Sequence, residues 1–495
     1  MIGKVVILGR DAAGWLSALA LHRALGPAGL DIQVIELPSL LRDADIYPTL
    51  PAIEAFHRLL GIDEHDLLKH TARPFTLGQS FVNFSGPRPP FFHAYGSYGV
   101  ALAQVPFFQI LTRARQGGLT VPFEDFSLTA AAAKQNRFVV PDSDTENFAR
   151  TDYGYHLPAQ AYVAYLKSRA AKAGIAIIPA RAAAVERDAH TGDILALQVG
   201  DQRIAGDLFI DAGGAEGALI RQIGQPFESW RPWFGGDRTL SVSGERLKSL
   251  PPYAQVRAQS ASWLGLYAAQ TATHLIQVYN SRFLSDDDAL QTAAVVSGLS
   301  LSDAVVNPIE PGCTAAAWAG NCVAIGEAAC TFDPIDNVGL QGVQTGLVHL
   351  LALFPRTRDM AGEREEYNRL TGMAYARLRD FQLAHYVCNR LDSTFWDRAR
   401  GVPVPESLQA KLDGFKARGF VPLYDEEGFH ADSWHAILNG HGLEPQSYEP
   451  LVDAIPDADI AGHLRRVLGI SAARSRPCPR TTPISKFSAV DRRFP

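Results

Sequence analysis

The 495-residue chain has no run of about 18 apolar residues, and without one no membrane-spanning helix is expected. Its opening apolar stretch, Met1 to Gly9, is too short for a signal peptide and has no cleavage-type flank. Cysteine is scarce: Cys313, Cys322, Cys330, Cys388 and Cys478 are odd in number and show no CxxC spacing. A disulfide framework or a zinc site is therefore not expected, and a reducing cytoplasm fits. The chain also lacks a strong charge of either sign. Its 46 Lys and Arg against 52 Asp and Glu give a net charge of −6, which argues against a nucleic-acid binder. No internal repeats occur.

Hydrophobic residues make up 47%, enough for a large core. By the usual domain-size relation the length allows roughly two to three domains or one composite one. Lys4 to Leu8 reads as a first buried strand and runs into Gly9. After Gly14 comes the Ala/Leu-rich stretch Trp15 to Leu21, a helix that stops near Gly26-Pro27. Asp31 to Glu36 is a second strand, so the chain opens as a βαβ unit. Further strands are expected at Ile175–Ile178, Asp207–Ala212 and Cys322–Gly326, and helices at Pro158–Ala173 and from Gly362 to about Trp396.

The loop Gly9-Arg10-Asp11-Ala12-Ala13-Gly14 lies where a G-x-G-x-x-G dinucleotide fingerprint belongs. Glu36 closes the second strand at the distance, about twenty residues, where an acidic side chain accepts from a ribose hydroxyl. Asp11 replaces the middle glycine, which normally lets the backbone approach the pyrophosphate. A carboxylate about 4 Å from a phosphate costs on the order of 4 kcal/mol at an effective dielectric of about 20, before relaxation. Arg10 offsets part of that. Two readings stay open: a working dinucleotide site, or a Rossmann-like scaffold that binds no dinucleotide.

A second signal follows in Gly326-Glu327-Ala328-Ala329, Asp333-Pro334 and Val338-Gly339-Leu340-Gln341-Gly342, with a helix expected from near Val343. This strand–loop–Pro–Gly–helix order is that of flavoproteins, where the helix start points free N–H groups at the flavin. Glu327 replaces the usual Asp. Two separated elements in this order favour FAD over NAD.

Over roughly residues 1 to 400 the chain resembles the flavin-dependent tryptophan halogenases. The resemblance is carried by Gly14-Trp15, Thr49-Leu50-Pro51 at the end of a flavin strap, Phe81-Val82-Asn83-Phe84, Phe92-His93-Ala94-Tyr95-Gly96 and Tyr155-His156-Leu157. Asp207 to Asp211 with Gly213, Ser281 to Asp287, Asn321 to Gly326 and Leu378-Arg379-Asp380-Phe381…His385-Tyr386 complete it. It implies FAD, with the reduced form supplied by a separate flavin reductase. It also implies hypohalous acid as oxidant, and a lysine–glutamate pair that directs it onto an arene.

The departures fall on that pair. The family's lysine position holds Thr76, which carries no charge. The glutamate position holds Asp336, one methylene shorter. The segment corresponding to W-x-W-x-I-P reads Trp263-Leu264-Gly265-Leu266-Tyr267-Ala268, which removes one objection to hydroxylase chemistry. Asn337 and Val338 replace the Ser-Thr that helps hold halide, and Ile46-Tyr47-Pro48 weakens the strap. Lys69 and Lys134 read as surface lysines. His93 is a candidate acid/base group near neutral pH. Trp263 and Tyr267 could stack a planar substrate or pack the core.

The expected fold is α/β: a doubly wound FAD module with a β-rich substrate portion over 1–360, a mainly helical cap over 361–470 and a flexible tail over 471–495. The leading functional reading is an FAD-dependent, monooxygenase-like oxidoreductase acting on an aromatic or hydrophobic small molecule. The alternatives are a halogenase working without the lysine, and a flavin-free binding or partner protein. Thr76, Asp336 and His93 are the catalytic candidates. A homodimer is the assembly to test.

Overall fold

Two sheets organise the chain in the computed structural model, which describes residues 2–71, 75–139 and 151–475. The first is six-stranded, in the order Trp318–Ala319, Cys322–Ala324, Leu208–Ala212, Lys4–Gly9, Asp31–Glu36, Ala176–Pro179. All neighbours run parallel except the edge strand Trp318–Ala319. Parallel sheets are covered on both faces, and continuous apolar strands suit that position. Val5, Val6, Ile7, Phe209 and Ile210 are accordingly sealed from solvent. Helix Asp11–Leu25 packs on this sheet, and helices Ala159–Lys172 and Gly339–Ala352 pack against that helix. This is the doubly wound α/β arrangement expected from the opening βαβ unit.

The second sheet has seven strands, in the order Leu301–Pro308, Arg238–Gly244, Thr273–Tyr279, Ser262–Ala268, Ala254–Ala258, Gly78–Val82, Phe91–Ala94. It brings chain from before residue 100 beside chain from after 250. Gly78–Val82 pairs in parallel with Ala254–Ala258 and antiparallel with Phe91–Ala94, setting Gln79 opposite His93. Gly78 has to be glycine: its φ is +150°, and a Cβ would stand 2.2 Å from the His93 carbonyl oxygen.

The helical part differs from expectation in three places. The long helix Ala361–Val387 does not continue to Trp396. Arg390 N–H turns to the Phe84 carbonyl, the Asn389 side chain accepts from Leu391 N–H, and a new helix starts at Thr394, capped by Ser393. The helix expected from Val343 already begins at Gly339. The last helix, Asp457–Ser475, runs past the expected tail boundary at 471; residues 476–495, with Cys478, lie outside the described residues. The other four cysteines are free thiols. One apolar cluster runs from Val5 to Val467.

In the helical part Lys411 is fully buried. Its ammonium lies 2.7 Å from Glu427, donates to the Pro422 carbonyl, and sits over the rings of Tyr424 and Trp434 at 4.5 and 4.9 Å. No helix among the described residues is long and apolar enough to cross a membrane.

Candidate functional site

The first functional surface is the carboxyl edge of the parallel sheet. Gly9 and Gly14 touch there: a Cβ on Gly9 would lie 2.8 Å from the Gly14 Cα. The helix from Asp11 starts with no side-chain cap from Arg10, and Tyr47 of the strap reaches the Ala12 amide. The helix from Gly339 also has no side-chain cap, and nothing lies within 4 Å of where a Gly339 Cβ would stand. Gly326 has φ +68°, and a Cβ there would meet the Ala13 Cβ at 2.9 Å. Two uncapped helix starts, one facing open space, with glycines where backbones meet, fit a group with an anionic diphosphate and a carbonyl-edged ring.

Asp11 takes a left-handed backbone, φ +53°, so the chain keeps the path a glycine would follow. Its carboxylate turns to the strap side, where Leu40 N–H reaches Oδ2 at 3.5 Å. Burial pushes its pKa up; Ser39, the Leu40 amide and Arg10 oppose that shift. Glu36 stands beside Gly9 in register, with both carboxylate oxygens held by Lys167 at 2.6 and 2.8 Å. The Thr49 hydroxyl accepts from Tyr155 N–H at 2.8 Å, tying the strap to strand Gly154–Pro158. Glu327 is exposed in the turn after Gly326, and Val338 and Leu340 are buried at the helix start.

The second surface is a polar cluster inside the protein, around Asp336. This residue ends the short turn Pro334–Asp336, which Asp333 caps by accepting from Ile335 N–H at 3.0 Å. Two glutamine amides clamp the turn. Gln79 Nε2 donates to the Ile335 carbonyl at 2.8 Å, and Gln382 Nε2 donates to the Asp333 carbonyl. Asp336 is sealed from solvent and its Oδ1 lies 3.2 Å from His385 Nε2, its one ion-pair contact among the described residues. His93, Tyr95 and Tyr267 lie within electrostatic reach. Both Asp336 carboxylate oxygens, His385 Nε2, Tyr267 Oη, His93 Nδ1 and the side-chain oxygens of Gln79 and Gln382 have no hydrogen-bond partner among the described residues. Each such atom left dry costs about 1–3 kcal/mol. A cluster of them is a place built for ordered water or a polar ligand.

The other sequence candidates meet this cluster differently. Thr76 is buried, and its hydroxyl donates to the Gly78 carbonyl at 3.1 Å. Trp263 is fully buried, and its Nε1–H donates to the Tyr386 hydroxyl at 2.9 Å. Tyr386 in turn donates to Asp333 Oδ2 at 2.7 Å. Burial raises the Asp333 pKa to about 7, with Tyr386 and the Ile335 amide opposing. Tyr267 stands edge-on to His156, 5.4 Å between centroids. Burial lowers the His93 pKa to about 4, against the pull of Asp336, which leaves the ring neutral at pH 7. Lys69 is exposed, and Lys134 is bound to Glu124 and Asp125 at 3.1 and 2.7 Å.

The buried rings give the fold a pH dependence. Burial lowers His57, His93, His156 and His435 to about 4 from 6.5. Between those values the unfolded chain binds more protons, so their stabilising contribution is present above pH 6.5 and is lost towards pH 4. Asp333 and Asp432, raised to about 7 and 6, act in the opposite sense. His274 and His441 shift in the same direction as the four rings, and the raised Asp11, Glu124, Asp211 and Glu327 in the direction of the two carboxyls; between pH 6.5 and 5 the rings, whose ordinary value lies at the top of that interval, set the sign. The melting temperature falls between pH 7 and pH 5; a rise over that interval would contradict this account.

Gln79, Gln382, His385 and Tyr386 escaped the sequence reading as site residues. The pair His385-Tyr386 stood inside a recognised segment, but nothing local says that a helix some fifty residues downstream turns it onto Asp336 and Asp333.

The tryptophan halogenase family model matches residues 4–457. A flavin-dependent halogenase from Brevundimonas sp. BAL3 superposes with a TM-score of 0.91 at 32% identity, covering 97% of this chain and 98% of that one. A flavin-dependent halogenase from Xanthomonas campestris gives a TM-score of 0.91 at 30% identity, with 97% of each chain covered. The tryptophan 7-halogenase of Lentzea aerocolonigenes is 25% identical over 526 residues, 97% of each chain.

Proposed function

Since the chain belongs to the tryptophan halogenase family, we propose that it carries out flavin-dependent electrophilic substitution on a small electron-rich aromatic compound, without a lysine intermediary. Its cofactor is FAD, and the residues present fit it: Gly9, Gly14 and the helix start from Asp11 would hold the diphosphate, and the Gly339 helix start the ring's carbonyl edge. When bound in its reduced form, FAD supplies the electrons that activate dioxygen and, with halide, yield hypohalous acid. A separate reductase provides that reduced flavin.

The observation that carries the reading is the state of Asp336: buried, with Oδ2 unpartnered among other unpartnered polar atoms, and paired with no lysine or arginine among the described residues. A carboxylate so placed can take the proton that an arene loses as the electrophile adds. Passed on from the carboxyl, that proton joins the hydroxide released from hypohalous acid, which departs as water and leaves Asp336 ready for the next arene. The clamped turn holds the carboxylate still, which keeps the geometric part of the barrier low. Neutral His93 and the Tyr95 and Tyr267 hydroxyls supply uncharged contacts that suit an aromatic guest. Thr76 can neither hold nor shuttle an electrophile, because its hydroxyl is bound to Gly78.

The test is the purified protein with FAD, a flavin reductase and its nicotinamide donor, oxygen, bromide, and indole and phenol as probes, read by mass. A bromine isotope doublet is the expected product. The monooxygenase reading is favoured by the lost second tryptophan and Ile-Pro after Trp263, and a gain of one oxygen with no bromine would establish it instead. Failure to bind FAD at tens of micromolar would leave the flavin-free reading.

Asp11 sets the flavin affinity. Asp11→Asn keeps the side-chain shape and removes a charge that, though turned to the strap side, stands at the loop that would hold the diphosphate. It tightens FAD about tenfold, the equivalent of 1.4 kcal/mol and well inside the electrostatic cost of one like-charge pair. Asp11→Gly gives the same gain and also relieves the left-handed backbone. Flavin fluorescence titration reads both, and unchanged affinity in both variants rules the charge out as the cause.

A further inference from the structure

The one tryptophan kept from the W-x-W-x-I-P segment starts a row of hydrogen bonds that ends on the turn carrying Asp336. Trp263 Nε1–H meets the Tyr386 hydroxyl at 2.9 Å, and that hydroxyl meets Asp333 Oδ2 at 2.7 Å. Asp333 Oδ1 takes the Ile335 N–H at 3.0 Å. Trp263 stands on strand Ser262–Ala268, Tyr386 near the end of helix Ala361–Val387, and Asp333 just ahead of the turn Pro334–Asp336. All three side chains are sealed from solvent. The Tyr386 ring is wedged between Phe234, edge-on at 5.2 Å, and Trp396 at 5.3 Å, which hold its hydroxyl in place.

The direction of these bonds is fixed from the indole end. An indole N–H only donates, so the Tyr386 oxygen is the acceptor there. Its own hydrogen is then free for Asp333. Burial, with Asp333 alongside, raises the Tyr386 pKa, so the phenol keeps that hydrogen. Asp333 thus receives one donor on each oxygen, the arrangement that suits an ionised carboxylate. A proton added to Oδ2 competes with the Tyr386 O–H, and one added to Oδ1 competes with the Ile335 N–H that caps the turn. Burial and the charge of Asp336 on the same turn push the Asp333 pKa up, to about 7, while the Tyr386 hydroxyl, the Ile335 amide and the Trp263 N–H hold it down. Tyr267, on the same strand as Trp263, is a further titratable group within reach.

We propose that Tyr386 is a positioning residue: its hydroxyl, oriented by the Trp263 N–H, holds Asp333 as the carboxylate that caps the Pro334–Asp336 turn, and so keeps Asp336 aimed. Gln79 and Gln382 grip the main chain of that turn, and Tyr386 holds its side-chain cap. Trp263 therefore has a task that survives the loss of the second tryptophan and the Ile-Pro. The proposal rests on the reading of Asp336 as proton acceptor, while the hold of Tyr386 on Asp333 does not.

The experiment uses full-length protein with 13C-carboxyl-labelled aspartate, in which Asp333 is assigned by the signal lost in Asp333→Asn and titrated by NMR. Bromination of indole with reduced FAD and bromide is followed over the same pH range. In the wild type Asp333 titrates near neutrality, and turnover falls with it on the acid side. Tyr386→Phe keeps the ring and removes the donor. Both midpoints then rise by about one pH unit or more, the worth of one hydrogen bond to a charged group, with KM for indole unchanged. Turnover at pH 7 drops about fivefold and recovers as the pH is raised. Trp263→Phe leaves Tyr386 in place and moves both midpoints the same way by less. An Asp333 midpoint unmoved in either variant overturns the proposal, and so does a midpoint that moves while the turnover profile stays put. If the Asp333 midpoint moves as expected while the wild type brominates nothing or Asp336→Asn stays active, the hold on Asp333 stands and the role given to Asp336 falls.

Discussion

Asp336→Asn lowers turnover by at least about a hundredfold and leaves FAD affinity unchanged. The magnitude follows from what general-base removal costs, about 10²–10⁴ in rate. The selectivity follows from the geometry. Asparagine fills the same volume at the end of the Pro334–Asp336 turn, and the two glutamine clamps grip main-chain carbonyls rather than the side chain. The helix start from Gly339 keeps its position, so flavin binding is spared. The variant also melts no lower than the parent, because the carboxyl it replaces is buried with neither oxygen hydrogen-bonded among the described residues. Stopped-flow or endpoint product mass gives the rate, and calorimetry the melting temperature. A variant that brominates at the parental rate would mean that Asp336 is no base and that solvent removes the arene proton.

Lys411→Met unfolds the protein more readily than any surface change, by about 3–5 kcal/mol, the usual cost of breaking a buried ion pair from one side. The methionine stem replaces the apolar contacts with Tyr424 and Trp434. It cannot satisfy Glu427, which is left nearly buried with only the Trp434 Nε1–H and Tyr424 N–H contacts at 3.3 and 3.4 Å. Lys411→Met combined with Glu427→Gln recovers part of the loss, since the amide removes the stranded charge. Denaturant melts separate these outcomes. A single variant as stable as the parent would show that Glu427 takes up a proton or water at no cost. Trp434 stands edge-on to Phe381, and Phe381 lies 5.6 Å from His93, so the same variant probes how firmly the cap supports the inner cluster.

Much of this was legible along the chain, for identifiable reasons. The βαβ opening was readable because buried parallel strands carry continuous apolar runs, as Val5 to Leu8 do, and because Gly9 and Gly14 mark the tight strand-to-helix turn. Asp336 was singled out through a segment that keeps its flanking Pro334 and Gly339 although the four residues between them have changed. What stayed hidden depends on contacts distant in sequence. Gln79 lies in an unremarkable strand, and only the pairing of Gly78–Val82 with Phe91–Ala94 and Ala254–Ala258 brings its amide to Ile335. Trp263 could have been a stacking platform on sequence grounds; its indole N–H is instead the first link of a chain ending on Asp333. The break after Val387 was missed because helical spacing continues through it, while the cause, a bond from Arg390 to Phe84, reaches across about three hundred residues.

The turn that carries Asp336 is gripped from both sides: by Gln79 on a strand laid down early in the chain, and by Gln382 on a helix completed late. The aim of the carboxylate therefore depends on strand Gly78–Val82 and helix Ala361–Val387 both being seated against the turn, two elements about three hundred residues apart in the chain.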